Sequence, residues 1–220
     1  MKEQYLSATR TARFAIAGNE IDPKDVWFVC HGYRQLASRF IRYFEILEDD
    51  STLVVAPEGL SRFYIDPDHG PHGPDVAVGA SWMTREDRDN EISDYVGYLD
   101  TLHDHIFNIV DRGSARFRVL GFSQGAETVA RWVDRGAVEP DHLVLWGGLL
   151  PKDVDPTRGG SPFGRIKVSV VFGDADDLAT PQRLESLESR LASVDYDMIR
   201  FEGGHQLNKV VLSQLSKVSV

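Results

Sequence analysis

The chain is predicted to adopt an α/β fold: a mostly parallel central sheet covered by helices on both faces, with no large cap domain. Three observations predict it. Short apolar, β-branched runs alternate with amphipathic stretches along the whole chain, the runs are too apolar to be half-solvated strands, and the connections between them have room for a crossover helix. At 220 residues, with 42% hydrophobic and 26% charged side chains, the chain has the size and composition of one soluble globular domain spanning 1–220.

Taken in order, the first run is Arg13 to Ala17, and the stretch from Tyr5 to Ala17 is expected to form an antiparallel hairpin at one sheet edge. Val26 to Cys30 is the next strand. Leu36, Phe40, Tyr43, Phe44 and Leu47 then recur at helical spacing before the strand Leu53 to Ala56. Between 61 and 85 the pairs Asp66-Pro67, Gly70-Pro71 and Gly73-Pro74 break any long element, so a loop is expected there, forming a pocket wall, with Trp82 either near a bound substrate or equally a core residue. Ile92, Tyr95, Val96, Leu99, Leu102 and Ile106 mark a long helix, followed by the strand Phe117 to Leu120 and a helix through Ala126, Val129, Ala130 and Val133. The strands His142 to Trp146 and Val168 to Phe172 follow, then a helix opened by Pro181 and carrying Leu184, Leu187 and Leu191. Met198 to Phe201 is the last strand, and Leu207, Val210, Val211 and Leu215 mark the last helix.

Several function classes are disfavoured. The formal charge of -10 repels phosphate backbones and anionic lipid, so neither nucleic acid nor membrane insertion is expected. The start of the chain lacks the apolar core of a signal peptide, which makes the cytoplasm the expected location. Cys30 is the only cysteine and reads as a small buried hydrophobe. His103 and His105 point to different faces of a helix, and His69 and His72 lack a third ligand, so no metal is expected. No glycine-rich phosphate loop follows a strand, so no cofactor is expected.

The sharpest feature is Gly121-Phe122-Ser123-Gln124-Gly125, between a strand and a helix. Gly-x-Ser-x-Gly in that context forms a strained turn that holds the serine hydroxyl out at the carboxyl end of a sheet, the nucleophile elbow of the α/β-hydrolase fold. A serine needs a base, and the base a partner to orient it. His205, after the last strand in Phe201-Glu202-Gly203-Gly204-His205, is assigned as general base. The acid is expected in Gly173-Asp174-Ala175-Asp176-Asp177; spacing leaves the three aspartates open, with Asp176 preferred and Asp177 second. The oxyanion hole is assigned to the amides of Gln124 and of Tyr33, in His31-Gly32-Tyr33 after the second strand, with His31 as a packing residue.

Together the motifs HGY, GFSQG, GDADDLATP and EGGH, in this order, resemble the phospholipase/carboxylesterase family of small α/β-hydrolases, which includes acyl-protein thioesterases. The resemblance covers nearly the whole chain. It implies a cofactor-free serine carboxylesterase acting on short to medium acyl esters; the expected partner is a small-molecule ester, and the sequence leaves monomer and homodimer open. The resemblance also implies Asp176 as the acid, since the family's acid lies three residues after a glycine, here Gly173. Acyl-thioester or lysophospholipid hydrolysis on the same triad is the alternative, and a catalytically silent binding protein is the rival from another class. One departure stands out: Arg34 occupies a position where the family usually carries glycine. A cation there narrows the site or favours acidic substrates, unless it faces solvent or pairs with a carboxylate.

Overall fold

The computed structural model describes residues 1–65, 73 and 75–219. Its main sheet has seven strands in the order β1-β3-β2-β6-β7-β8-β9. These are β1 (Phe14–Gly18), β2 (Asp25–Cys30), β3 (Thr52–Pro57), β6 (Arg116–Phe122), β7 (His142–Trp146), β8 (Lys167–Gly173) and β9 (Tyr196–Phe201). All pairs are parallel except β1 with β3. The helices are α1 (Ala37–Phe40), α2 (Arg88–Phe107), α3 (Gln124–Arg135), α4 (Pro181–Leu191) and α5 (Lys209–Ser216).

Alternation along β2 divides the core in two. Val26, Phe28 and Cys30 pack with side chains of α2, α3 and α4, whereas Trp27 and Val29 pack on the other face with α1, the turns after it and α5. β2 itself is buried throughout, as a parallel strand covered on both faces must be. Burial pushes the Cys30 thiol well above its ordinary range, which keeps it protonated and inert.

Three elements differ from expectation. The N-terminal edge is a single antiparallel strand, β1, with residues 1–13 outside any strand; no hairpin forms. The helix expected around 36–47 is one α-turn followed by a 3-10 helix, Ile41–Leu47. The buried residues there, Ile41, Phe44 and Leu47, are spaced three apart, which suits the three-residue period of a 3-10 helix. The expected loop contains β4 (Ser61–Tyr64) and β5 (Val78–Ser81), a small antiparallel pair. Glycines and prolines forbid long strands, but four-residue strands fit between them. Residues 66–72, with His69 and His72, and residue 74 lie outside the described residues.

The strand order reverses between β2 and β6: the chain steps outward from β2 to β3 on one side and from β6 onward on the other. In open α/β sheets such a switch point opens a crevice at the carboxyl ends of the strands. Gly32 and Tyr33 follow β2 there, and Ser123 follows β6.

Candidate active site

Ser123 is the pivot between β6 and α3, with φ 55 and ψ -117, a backbone conformation that L-residues rarely adopt. Its flanking glycines allow the turn to sit where it does. A Cβ on Gly125 would lie 2.1 Å from the Cys30 carbonyl oxygen, and one on Gly121 would lie 2.2 Å from the Gly125 oxygen. The first turn of α3 therefore presses directly on β6 and on the end of β2. The Ser123 N–H donates to the Trp146 carbonyl at 2.8 Å, tying the elbow to β7.

The acid and histidine loops are joined to each other. The Asp174 N–H donates to the Phe201 carbonyl and the Ala175 N–H to the Gly203 carbonyl, both at 2.9 Å. This brings Asp176 Oδ2 to 2.8 Å from His205 Nδ1, with the Asp176 side chain 1% exposed and the His205 side chain 30% exposed. Asp176 Oδ1 accepts from the Leu178 N–H at 2.8 Å, so both carboxylate oxygens are held. A carboxylate only accepts, so this bond places the imidazole proton on Nδ1 and leaves Nε2 free as a base. The other two aspartates are not at the imidazole: Asp174 takes a hydrogen bond from Arg200 Nε at 3.0 Å, and Asp177 is exposed.

Phe122, the residue before Ser123, packs on the His205 ring with centroids 4.8 Å apart and the planes tilted by 33°. Gly147, just after β7, lies beneath the pair: a Cβ there would be 3.1 Å from His205 Nδ1 and 3.5 Å from Asp176 Oδ2. Among the described residues the Ser123 hydroxyl makes no hydrogen bond.

On the other side of the serine, a Cβ on Gly32 would lie 3.2 Å from Ser123 Cβ. Residues 32–35 form a four-residue turn closed by the Gln35 N–H to the Gly32 carbonyl at 3.2 Å, with the Gly32 N–H donating back to Gln35 Oε1 at 2.8 Å. The Tyr33 amide has no hydrogen-bond partner among the described residues, and the Gln124 amide, first in α3, has no intrahelical acceptor to use.

His31 is fully buried beneath this turn. The Gly59 N–H donates to its Nε2 at 3.0 Å, so the ring is neutral with the proton on Nδ1, which donates to the Gly32 carbonyl at 2.8 Å. Burial keeps its pKa below the ordinary histidine value, consistent with that tautomer. His31 thus props the turn and stays clear of the serine. Trp82 is 1% exposed, packs on His31 at 5.1 Å and donates its indole N–H to the His31 carbonyl at 2.8 Å. It supports the floor of the turn from within the core, and its other side reaches the cleft beneath the N-terminal segment, which is not lined by Ser123, Asp176 or His205.

Sequence reasoning missed the side chains that fasten these parts together. Gln124 accepts from the Trp82 N–H at 3.1 Å and donates to the Met83 carbonyl at 2.8 Å, linking the elbow to the segment after β5. Within the turn, Gln35 accepts from the Gly32 N–H through its side-chain oxygen. The glutamine inside the elbow motif was visible, but its partners are some forty residues away in sequence.

A cleft of about 890 Å³ lies elsewhere, between the N-terminal segment at Tyr5 and Leu6 and the α2 residues Asp94, Tyr98 and His105, and it is not lined by Ser123, Asp176 or His205. No described helix is long and apolar enough to cross a membrane.

Among solved structures, a carboxylesterase from Mesorhizobium loti superposes with a TM-score of 0.71 at 16% identity, over 94% of this chain and 95% of that one. Acyl-protein thioesterase 2 of Zea mays gives 0.70 at 14% identity, over 94% and 97% of the two chains. Esterase PE8 gives 0.64 at 18% identity, over 94% and 97%. At these identities the likeness is one of fold, the α/β-hydrolase fold. No curated protein matches in sequence. The model of the family described as Serine hydrolase (FSH1) matches residues 29–209, from the end of β2 through the elbow and the histidine loop to the start of α5. The chain is a member of the serine hydrolase (FSH1) family.

Proposed function

We propose that the protein is a serine carboxylesterase that hydrolyses short to medium acyl esters through a Ser123-His205-Asp176 triad and an acyl-enzyme intermediate. The observation that carries this reading is the 2.8 Å bond from His205 to a buried Asp176, held against the residue preceding a serine in a strained elbow.

In the first half-reaction Ser123 Oγ attacks the ester carbonyl carbon while His205 Nε2 takes its proton. The imidazolium that forms is stabilised by Asp176, which stays ionised. The carbonyl oxygen becomes an oxyanion, received by the Tyr33 and Gln124 amides; each such donor is typically worth about 10²- to 10³-fold in rate. Collapse breaks the bond to the alcohol oxygen, which leaves with the proton from His205. Water then repeats the sequence on the acyl-enzyme and releases the acid. Proton transfer needs Ser123 Oγ and His205 Nε2 about 2.6–3.2 Å apart, a contact that often tightens only when substrate is bound.

The test is hydrolysis of p-nitrophenyl esters from acetate to laurate by the wild type and by Ser123→Ala. Turnover that peaks at short or medium chains and vanishes in the variant is the expected result. Turnover that survives in Ser123→Ala refutes the nucleophile, and turnover of acyl thioesters but no oxygen ester moves the reading to a thioesterase.

A further inference from the structure

The turn that carries the Tyr33 amide holds a second feature. Arg34, its third residue, has φ 70. That is the left-handed region, which the third residue of a type II turn must occupy and which glycine adopts without the steric penalty of a Cβ. The conformation is locked: the Arg34 N–H donates to the Ala80 carbonyl at 2.9 Å and the Ala80 N–H to the Gln35 carbonyl at 3.1 Å. β5 lies so close that a Cβ on Gly79 would be 2.5 Å from the Arg34 oxygen. A long cationic side chain therefore stands where the backbone favours none.

That side chain is exposed and makes no ion pair or hydrogen bond among the described residues. The nearby arginines are committed: Arg13 and Arg62 both hold the buried Glu58, at 2.8 and 2.6 Å. Arg34 follows Gly32 by two residues, so its Cα lies within about 7 Å of that glycine, which itself abuts Ser123. Beside it, Tyr33 is 52% exposed and its ring stacks on Phe63 with centroids 5.2 Å apart. The rim of the site thus offers an apolar aromatic face next to a cation that has no partner among the described residues, on a chain whose formal charge is -10.

We propose that Arg34 is a substrate-recognition residue that binds a second, ionised carboxylate on the substrate, and that the site prefers esters whose apolar acyl chain ends in such a group. Tyr33 and Phe63 hold the methylene chain, and the planar guanidinium receives the carboxylate. The proposal rests on the esterase reading but is tested by binding.

The experiment compares two ligands of the same length, monomethyl glutarate and methyl pentanoate, binding by calorimetry to Ser123→Ala protein. The hemi-ester is expected to bind about two- to fivefold more tightly, the effect of a well-placed charge pair at a wet site, and the preference is expected to shrink with added salt. In Ser123→Ala/Arg34→Gln and Ser123→Ala/Arg34→Gly, both checked for an intact thermal transition, the two ligands should bind alike. Equal binding to Ser123→Ala, no detectable hemi-ester binding, or a preference that survives both Arg34 substitutions overturns the proposal. Turnover of methyl pentanoate by the wild type tests the esterase reading separately.

Discussion

Asp176→Asn removes one charge and changes no volume, so its effect can be worked out from the geometry. Asp176 has one oxygen on the Leu178 N–H and the other 2.8 Å from His205 Nδ1, with the side chain 1% exposed. An asparagine keeps its carbonyl on one partner and must present its NH₂ to the other. If the amide faces the imidazole, Nδ1 has to become the acceptor, the proton moves to Nε2, and the base can no longer take the proton of Ser123. If the carbonyl faces the imidazole, the amide opposes the Leu178 N–H, and the imidazolium formed during turnover still lacks its counter-charge. Loss of the correct tautomer and counter-charge in a triad costs roughly 10³- to 10⁴-fold in kcat, or about 4 to 5.5 kcal/mol of barrier. The assay is kcat for p-nitrophenyl butyrate under saturating substrate, with a thermal melt to verify that the variant is folded. A loss smaller than about tenfold in a folded variant, or a larger loss from Asp177→Asn, refutes the assignment of the acid.

Three other consequences are open to measurement. Gly125→Ala drives a methyl group to within 2.1 Å of the Cys30 carbonyl oxygen, so α3 must retreat with Ser123 and Gln124; a loss of about 2 kcal/mol or more of stability and most of kcat is expected, and wild-type values for both would show that the contact is relaxed elsewhere. At the far end of the sheet the fully buried Arg118 donates to Asp25 at 2.8 Å, with Arg116 on the other carboxylate oxygen. Asp25→Ala strands that guanidinium, and a cost of about 3 to 5 kcal/mol, roughly a 6 to 20 °C fall in Tm, is expected; a fall of less than about 2 °C contradicts it. His142 is buried with its Nδ1 facing an Arg118 donor at 3.3 Å and its Nε2 on Ser169 Oγ at 2.9 Å, and burial, reinforced by Arg118, holds its pKa down to about 3. The unfolded chain takes up this proton near pH ~6.5 and the native state does not, so stability is full above that pH and falls by up to about 1.4 kcal/mol per pH unit toward about pH 3. Urea midpoints between pH 7 and 4 in wild type and His142→Gln measure this, and parallel profiles would refute it.

What could be read in the sequence was what local periodicity and turn chemistry encode. Strand runs such as Val26 to Cys30 are apolar on both faces because helices cover both faces, and the elbow motif sits between a strand and a helix as its chemistry requires. The order of elbow, aspartate loop and histidine loop was equally visible, because each follows a recognisable strand. What was hidden depends on distances across the fold. β4 and β5 are four residues each and gain their meaning only from pairing with each other and from the closeness of Gly79 to Arg34. The 3-10 geometry of Ile41–Leu47 reflects a choice between periods of 3 and 3.6 that a short apolar pattern does not resolve. Three neighbouring aspartates look alike in sequence, and only the joining of the acid and histidine loops singles out Asp176 as the one at the imidazole. The left-handed backbone of Arg34 had no local signal, because arginine does not announce a positive φ as glycine does.

The most direct test of the central claim is reaction of the native protein with a fluorophosphonate, followed by mass spectrometry of the digested adduct. One covalent label per chain is expected, on Ser123, absent in Ser123→Ala and slowed by several orders of magnitude in His205→Ala. An unlabelled native protein, or a label on any other residue, would contradict it.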